Sequence, residues 1–208
     1  PGNYLDGAFR IPAQAEGELV IRSPADSTDV CSVQPYARAA LHEALEAARK
    51  AWPSWRRLTI DQRADHLRGY QARLRANHAA ITQAIAREVG KPLWEAKTEV
   101  DAMIGKVDLT LGEGRRFTDD AQLPDLPGEI RHRPLGVVGV IGPFNFPGHL
   151  PNGHIVPALL LGNCVVHKPS EKTPTAGTWM ARCFHEAGLP AGVWNPVQGP
   201  GELGAALS

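Results

Sequence analysis

No stretch of this sequence approaches the roughly 18 consecutive apolar residues that cross a bilayer, so a membrane partner is not expected. Charge of either sign in excess is also missing. Lysine and arginine together number 22, aspartate and glutamate also 22, and the formal net charge is zero. Nucleic acids and anionic surfaces recruit basic patches, so neither is an expected partner. Cysteine is scarce. Cys31, Cys164 and Cys183 are widely and irregularly spaced with no CxxC, which excludes a zinc-type pattern or a disulfide framework. Reduced and mostly buried thiols are expected instead. The opening PGNYLDGAFRIPAQ has no basic region leading into an apolar stretch, so no signal peptide is visible and a cytoplasmic location is expected.

What is present reads as a soluble globular chain. Its 208 residues suffice for one large domain or a domain and a half, with 43% apolar and 21% charged residues. Residues 1–35 hold short apolar runs broken by Gly, Pro, Asp and Ser, a pattern of small strands and turns. From Tyr36 to Lys50 the spacing of Ala40, Leu41, Ala44, Leu45 and Ala48 predicts a helix, ended by Trp52, Pro53 and Trp55. Thr59-Ile60-Asp61-Gln62 fits a capping box opening a second helix to about Ala76. A third runs from Asn77 to Val89 and stops at Gly90. Pro92 is placed to start a fourth, carrying Trp94, Ala96, Val100, Met103, Ile104 and Val107. Residues 36–116 are therefore a helical block, and Gly112–Gly128 is loop-like.

The pattern then changes to strand–helix–strand–helix–strand. Val137–Ile141 is a continuous apolar run, expected to be a parallel strand buried on both faces. Residues 148–161 form a helix, Asn163–His167 a second strand, residues 175–187 a second helix closed by Gly188 and Pro190, and Val193–Gln198 a third strand. The fold class is α/β: an incomplete doubly wound, Rossmann-like parallel sheet with an N-terminal helical block. Right-handed crossovers put both helices on one face, and the helical block is expected on the other. The closing GELGAALS begins another helix without a stop signal, so a truncated domain is expected rather than a natural end.

Ligands of open α/β sheets bind beyond the carboxyl ends of the strands. That rule nominates Gly142-Pro143-Phe144-Asn145-Phe146-Pro147, then Lys168-Pro169-Ser170-Glu171, then Gly199-Pro200-Gly201. Lysine and glutamate three residues apart can bind vicinal hydroxyls such as those of a ribose, the carboxylate accepting and the ammonium donating. They can equally be an incidental ion pair in an exposed turn. The Asn145 amide can donate to a developing oxyanion, or Asn145 can simply be a tight-turn residue. Gly199, Gly201 and Gly204 spell GxGxxG, but after the third strand and with Pro200 inside it. It reads as a strand-to-helix turn near a cofactor, not as the main pyrophosphate cradle. His149 and His154 are five apart, off the helical spacing of a metal pair, and no metal is expected. They shape a substrate entrance or are ordinary helix-surface histidines.

RPLGVVGVIGPFNFP, PALLLGNCVVHKPSEKTP and GLPAGVWNPVQG together resemble the aldehyde dehydrogenase superfamily, and ARKAWPSWRRL and AREVGKPLWEAKTEV match that family's N-terminal helices. The resemblance covers nearly the whole chain. Within the superfamily, RHRPLGVVGVIGPFNFPGHLPNGHIVPALLLGN is similar to the branch of bacterial succinylglutamic semialdehyde dehydrogenases of arginine catabolism, with residues 148–154 carrying most of that narrower likeness. The resemblance implies an aldehyde dehydrogenase-like fold, an aldehyde substrate and NAD as cofactor. It implies that Asn145 helps stabilise the thiohemiacetal oxyanion and that Lys168 and Glu171, with Ser170 in the same turn, hold the adenosine ribose. It implies that Ile141, Gly142, Pro143 and Phe144 line the cofactor cleft and that Gly199 lies by the adenine side. Glu171 would favour NAD over NADP by repelling a 2′-phosphate. Residues 117–134 become an oligomerisation-type segment in which Arg131–Pro134 belong to the interface strand, so a homo-oligomer is expected at full length. Residues 135–208 become the first half of the NAD-binding domain.

The family's mechanism also needs a cysteine nucleophile and a glutamate base. Both belong downstream of Ser208, and none of the three cysteines matches the nucleophile. The chain alone is therefore expected to oxidise no aldehyde. Two alternatives stand beside this reading: an oxidoreductase for another aldehyde, and a non-catalytic nucleotide-binding or interaction module.

Overall fold

The computed structural model describes residues 2–118, 120–123 and 126–208. Four short strands come first. β1 (Asn3–Leu5) pairs with β2 (Ala8–Arg10), and β3 (Gly17–Arg22) with β4 (Val30–Tyr36), both antiparallel. The strand character of residues 1–35 thus extends to Tyr36, and the first helix starts later than expected.

That helix, α1 (Ala39–Trp55), does not end before its tryptophans. It runs through Pro53 because tertiary bonds hold its last turn: Trp52 Nε1 donates to Gly162 O and Trp55 Nε1 to Leu159 O, each at 3.1 Å. Two indole donors, Trp55 buried and Trp52 partly so, find acceptors there, which is how such rings are usually accommodated. α2 (Ile60–Ala76) opens on the expected capping box, with Thr59 Oγ1 accepting from Gln62 N at 3.2 Å and Gln62 Oε1 from Thr59 N at 2.8 Å. α3 (His78–Val89) stops at Gly90, whose φ of 77° is left-handed as a C-terminal glycine should be. α4 (Leu93–Leu111) starts just after Pro92.

The loop expected at Gly112–Gly128 contains structure. Glu113–Phe117 is a 3-10 turn, and β5 (Ala121–Gln122) pairs with β6 (Glu129–Ile130). Asp119, Pro124 and Asp125 of that loop lie outside the described residues. Arg131–Pro134, expected in an interface strand, carry no strand pairing; the ladder ends at Ile130.

The remaining chain alternates as expected: β7 (Val137–Ile141), α5 (His149–Leu160), β8 (Cys164–Lys168), α6 (Pro174–Glu186), β9 (Trp194–Pro196) and α7 (Gly201–Leu207). The three strands are parallel in the order β7-β8-β9. β8, in the middle, is buried along its whole length. β7 departs from the expectation of burial on both faces, since Ile141 is 52% exposed. Being at a sheet edge, β7 has a strand neighbour on one side only, and the seven-residue α7 sets Leu207 against Gly139 but only a glycine, Gly204, beside Ile141.

The helical block also departs from expectation. Only α1 crosses the three strands; α2, α3 and α4 pack on α5 and α6 as an outer layer. The reason is in α5, whose buried Pro151, Ile155, Val156, Leu159 and Leu160 leave it no solvent face of ordinary width. A helix apolar on most sides must be covered on most sides. Within that layer Tyr70 of α2 stacks on Phe184 of α6 with centroids 3.7 Å apart, and the Tyr70 hydroxyl donates to Asn152 Oδ1 of α5 at 2.9 Å.

Candidate functional site at the strand ends

Parallel pairing brings the carboxyl ends of β7, β8 and β9 to one rim. Ile141 is level with Lys168, Gly142 N donates to Lys168 O at 2.9 Å, and Val197 N donates to His167 O at 2.8 Å. The three nominated segments are therefore brought side by side. α7 starts from the third of them. Its Gly204 packs against Ile141 and Lys168, and a β-carbon on Gly199 would lie 2.6 Å from Leu203, so that turn is built for glycine.

Lys168 is a buried charge at the rim: its side chain is 3% exposed and its Nζ donates to Glu171 Oε2 at 2.6 Å. Glu171 stands at the surface end of the pair. The hydrogen bond from Lys168 holds its carboxyl below the ordinary carboxylate range, against a smaller opposing effect of burial. Ser170 is buried, and its Oγ accepts from Lys172 N at 3.2 Å, shaping the turn that presents Glu171. Ile141 and Phe144 both expose apolar surface beside the pair, and the Lys172 ammonium lies 4.8 Å from the Phe144 ring centroid. A cleft of about 390 Å³ opens here, lined by Phe144, Glu171 and Thr173 on one side and by Val20 and Ile21 of β3 on the other. A larger cleft, about 660 Å³, lies among Leu5, Ile11, Ala37 and Ala40 and contains none of the strand-end residues.

This donor set fits a dinucleotide. A cation and a carboxylate in contact match the two hydroxyls of a ribose, and flanking apolar surface suits a flat base or ring.

Asn145 is exposed, and its side-chain amide makes no hydrogen bond among the described residues. Its backbone is held: the carbonyl accepts from Lys91 Nζ at 2.8 Å. Lys91 follows the Gly90 turn between α3 and α4, and the same Nζ donates at 2.8 Å to Glu99 Oε2 on α4. The other Glu99 oxygen accepts from Gly148 N at 2.9 Å and His149 N at 3.2 Å. Reading the sequence by strand ends missed Lys91 and Glu99. The available signal was an acid on the apolar face of α4, between Ala96, Val100 and Met103.

His149 and His154 do not converge. His149 is half-buried in the first turn of α5 and its proton affinity is lowered by burial first and by the Lys106 charge second, whereas His154 is exposed. Among the described residues no cluster of three His, Cys, Asp or Glu side chains is placed to hold a metal, and no helix is long and apolar enough to cross a membrane. None of the cysteines reaches the rim. Cys31 lies in β4, Cys164 opens β8 at its opposite end, and Cys183 is buried in α6.

The sequence model of the Aldehyde dehydrogenase family matches residues 11–208. Among curated proteins, the chain is 44% identical over 208 residues to N-succinylglutamate 5-semialdehyde dehydrogenase of Chromobacterium violaceum, covering 99% of this chain and 42% of that protein. It is 50% identical over 172 residues to the protein of the same name from Escherichia coli K12, covering 82% of this chain and 35% of that one. The chain thus spans about two fifths of the length of these relatives. Among solved structures, lactaldehyde dehydrogenase from Escherichia coli superposes with a TM-score of 0.90 at 35% identity, covering 99% of this chain and 44% of that one. A 1-pyrroline-5-carboxylate dehydrogenase from Thermus with bound NAD superposes equally well, at 30% identity, covering 99% and 40%. The chain belongs to the aldehyde dehydrogenase family.

Proposed function

We propose that this member of the aldehyde dehydrogenase family is the NAD-binding part of an NAD-dependent enzyme that oxidises N-succinyl-L-glutamate 5-semialdehyde to N-succinylglutamate in arginine catabolism. The observation that carries the reading is the Lys168–Glu171 pair, at 2.6 Å, on the same rim as an unengaged Asn145 amide. The substrate is taken from the two relatives named above, each of which carries that name.

In this reading Lys168 donates to, and Glu171 accepts from, the adenosine ribose hydroxyls, so the diol enters between two groups that now bond each other. Ser170 holds the turn, Gly142 and Pro143 form the floor, and Ile141 and Phe144 give the cleft its apolar walls. Gly199 keeps the third strand end low enough for the adenine side. The Glu171 carboxylate disfavours a 2′-phosphate by like-charge repulsion. NAD supplies the hydride acceptor when bound. Asn145 donates its amide to the oxygen of the thiohemiacetal as negative charge develops there, which is where a preorganised donor has most effect. The aldehyde is the small-molecule partner; the whole protein works in the cytoplasm as a homo-oligomer.

The 208 residues alone oxidise no aldehyde. Burial pushes the thiols of Cys164 and Cys183 up to about 12 and raises that of Cys31. A nucleophile must be a thiolate, and none of these becomes one near neutral pH.

Calorimetric titration of the chain with NAD and with NADP, alongside NADH formation by the complete protein supplied with the semialdehyde, tests this. Expected are NAD binding in preference to NADP, turnover by the complete protein, and none by the 208 residues. A folded chain that binds neither dinucleotide overturns the cofactor role. A complete protein that binds NAD but turns over only another aldehyde overturns the substrate, and one that turns over none is a nucleotide-binding module.

A further inference from the structure

We infer that Lys91 and Glu99 are positioning residues that fix the Asn145 segment for its donation to the oxyanion; the inference rests on the aldehyde oxidation proposed above. The two side chains are almost wholly withdrawn from solvent, Lys91 6% and Glu99 0% exposed, yet they join elements 50 residues apart in sequence. Lys91 Nζ donates to the Asn145 carbonyl and to Glu99 Oε2, both at 2.8 Å, and lies 4.0 Å from the Phe146 ring centroid. Glu95 Oε1, one turn before Glu99, adds a longer ionic contact at 3.7 Å. Glu99 Oε1 takes the N–H groups of Gly148 and His149. The carbonyl of Asn145 and the first free amides of α5 are therefore tied to one ion pair.

Space confirms how closely the parts are fitted. A β-carbon on Gly148 would lie 2.5 Å from Met103 Sδ, one turn along α4 from Glu99, so the segment approaches α4 as near as a glycine permits. A buried ion pair contributes little net stability compared with an apolar replacement, and stability alone gives no reason for this pair to reach across to Asn145. Orientation does. An amide donor displaced by about 1 Å can cost on the order of 100-fold in rate, and among the described residues no other side chain is bonded to the Asn145 backbone. Because the oxyanion exists only on the way through the reaction, misplacing its donor lowers kcat and leaves ground-state binding alone.

The test uses the complete protein with Lys91→Met, Lys91→Arg, Glu99→Gln and Asn145→Ala, each checked for folding by its thermal midpoint. Expected for Lys91→Met is a fall in kcat of about tenfold or more, with KM for the aldehyde and the Kd of NAD within about twofold. Lys91→Arg, which keeps the charge, recovers part of the rate. Lys91→Met placed on Asn145→Ala adds little further loss, because both remove the same contribution. Amide exchange at Gly148 and His149 accelerates in Lys91→Met and in Glu99→Gln. Should Lys91→Met not fold, Glu99→Gln reads the same kcat-against-KM split. A folded Lys91→Met with wild-type kcat, or a loss fully additive with Asn145→Ala, overturns the inference. If the complete protein oxidises no aldehyde, the functional reading falls separately. The exchange rates still decide the positioning, since unchanged exchange at Gly148 and His149 overturns it on its own.

Discussion

Lys168 and Glu171 meet at 2.6 Å across a three-residue turn, the lysine buried and the carboxylate at the rim. A charged hydrogen bond to a ribose contributes about 1.5–3 kcal/mol. Glu171→Gln is therefore expected to weaken NAD binding about tenfold or more and to narrow the preference over NADP, both read by titration calorimetry. The pH dependence has a definite sign. Lys168 depresses the Glu171 carboxyl below its ordinary 4.5, so the pair is intact above that value and is lost as pH falls through the lower native one. NAD affinity should be flat from pH 6 to 8 as far as Glu171 is concerned, and equal affinity of Glu171→Gln and wild type would remove Glu171 from the site.

His167, next to Lys168 on β8, is buried and stacked 5.8 Å from Trp194, and burial pushes its pKa down to about 3 from 6.5. Neither ring nitrogen has a hydrogen-bond partner among the described residues. The folded protein thus holds a neutral imidazole that the unfolded chain protonates. Its contribution is fully present above pH 6.5 and is lost as pH falls from 6.5 toward 3, by up to about 1.4 kcal/mol per pH unit. Urea midpoints at pH 7.5 and pH 5 should differ accordingly, and His167→Leu should flatten the difference. An unchanged slope in that variant would assign the effect to another group.

The cysteines make a prediction of opposite kind, an absence of reactivity. At pH 8 a thiol titrating near 12 is ionised to roughly one part in ten thousand, the situation of Cys164 and Cys183. Peptide mapping after iodoacetamide treatment should find these two unmodified until the protein is denatured, with slow labelling of Cys31. Cys31→Ser should leave NAD affinity unchanged. Rapid native labelling of Cys164 or Cys183 would mean the core opens far more readily than its packing suggests.

Much of this architecture could be read from spacing alone. The capping box at Thr59, the glycine stop at Gly90 and the alternation from Val137 to Pro196 are local signals, and each appears where its residues put it. The errors share a cause. Whether α1 continues past Pro53 is decided by indole bonds to residues more than 100 positions away. Which face α2, α3 and α4 cover depends on α5 being apolar on most sides. The strand-end rule located Lys168, Glu171 and Asn145 at one rim without any contact information. It could not find Lys91 or Glu99, because they touch that rim from the α3–α4 turn and from α4, where the sequence speaks only of packing.

The first strand is not complete until the last one arrives. β1 packs beside β9, Gln198 N donates to Asn3 Oδ1 at 2.7 Å across 195 residues, and Asp6 N donates to Asn195 Oδ1 at 3.0 Å. On a ribosome adding about 5–20 residues per second, Tyr4 and Leu5 leave the exit tunnel some 10–40 s before their partners do. During vectorial synthesis Tyr4 and Leu5 have β2, α1 and α6 to pack on until β9 is made, and contacts so distant along the chain close slowly even afterwards. Docking of the β1–β2 hairpin onto β9 should therefore be a late event in the folding of this domain.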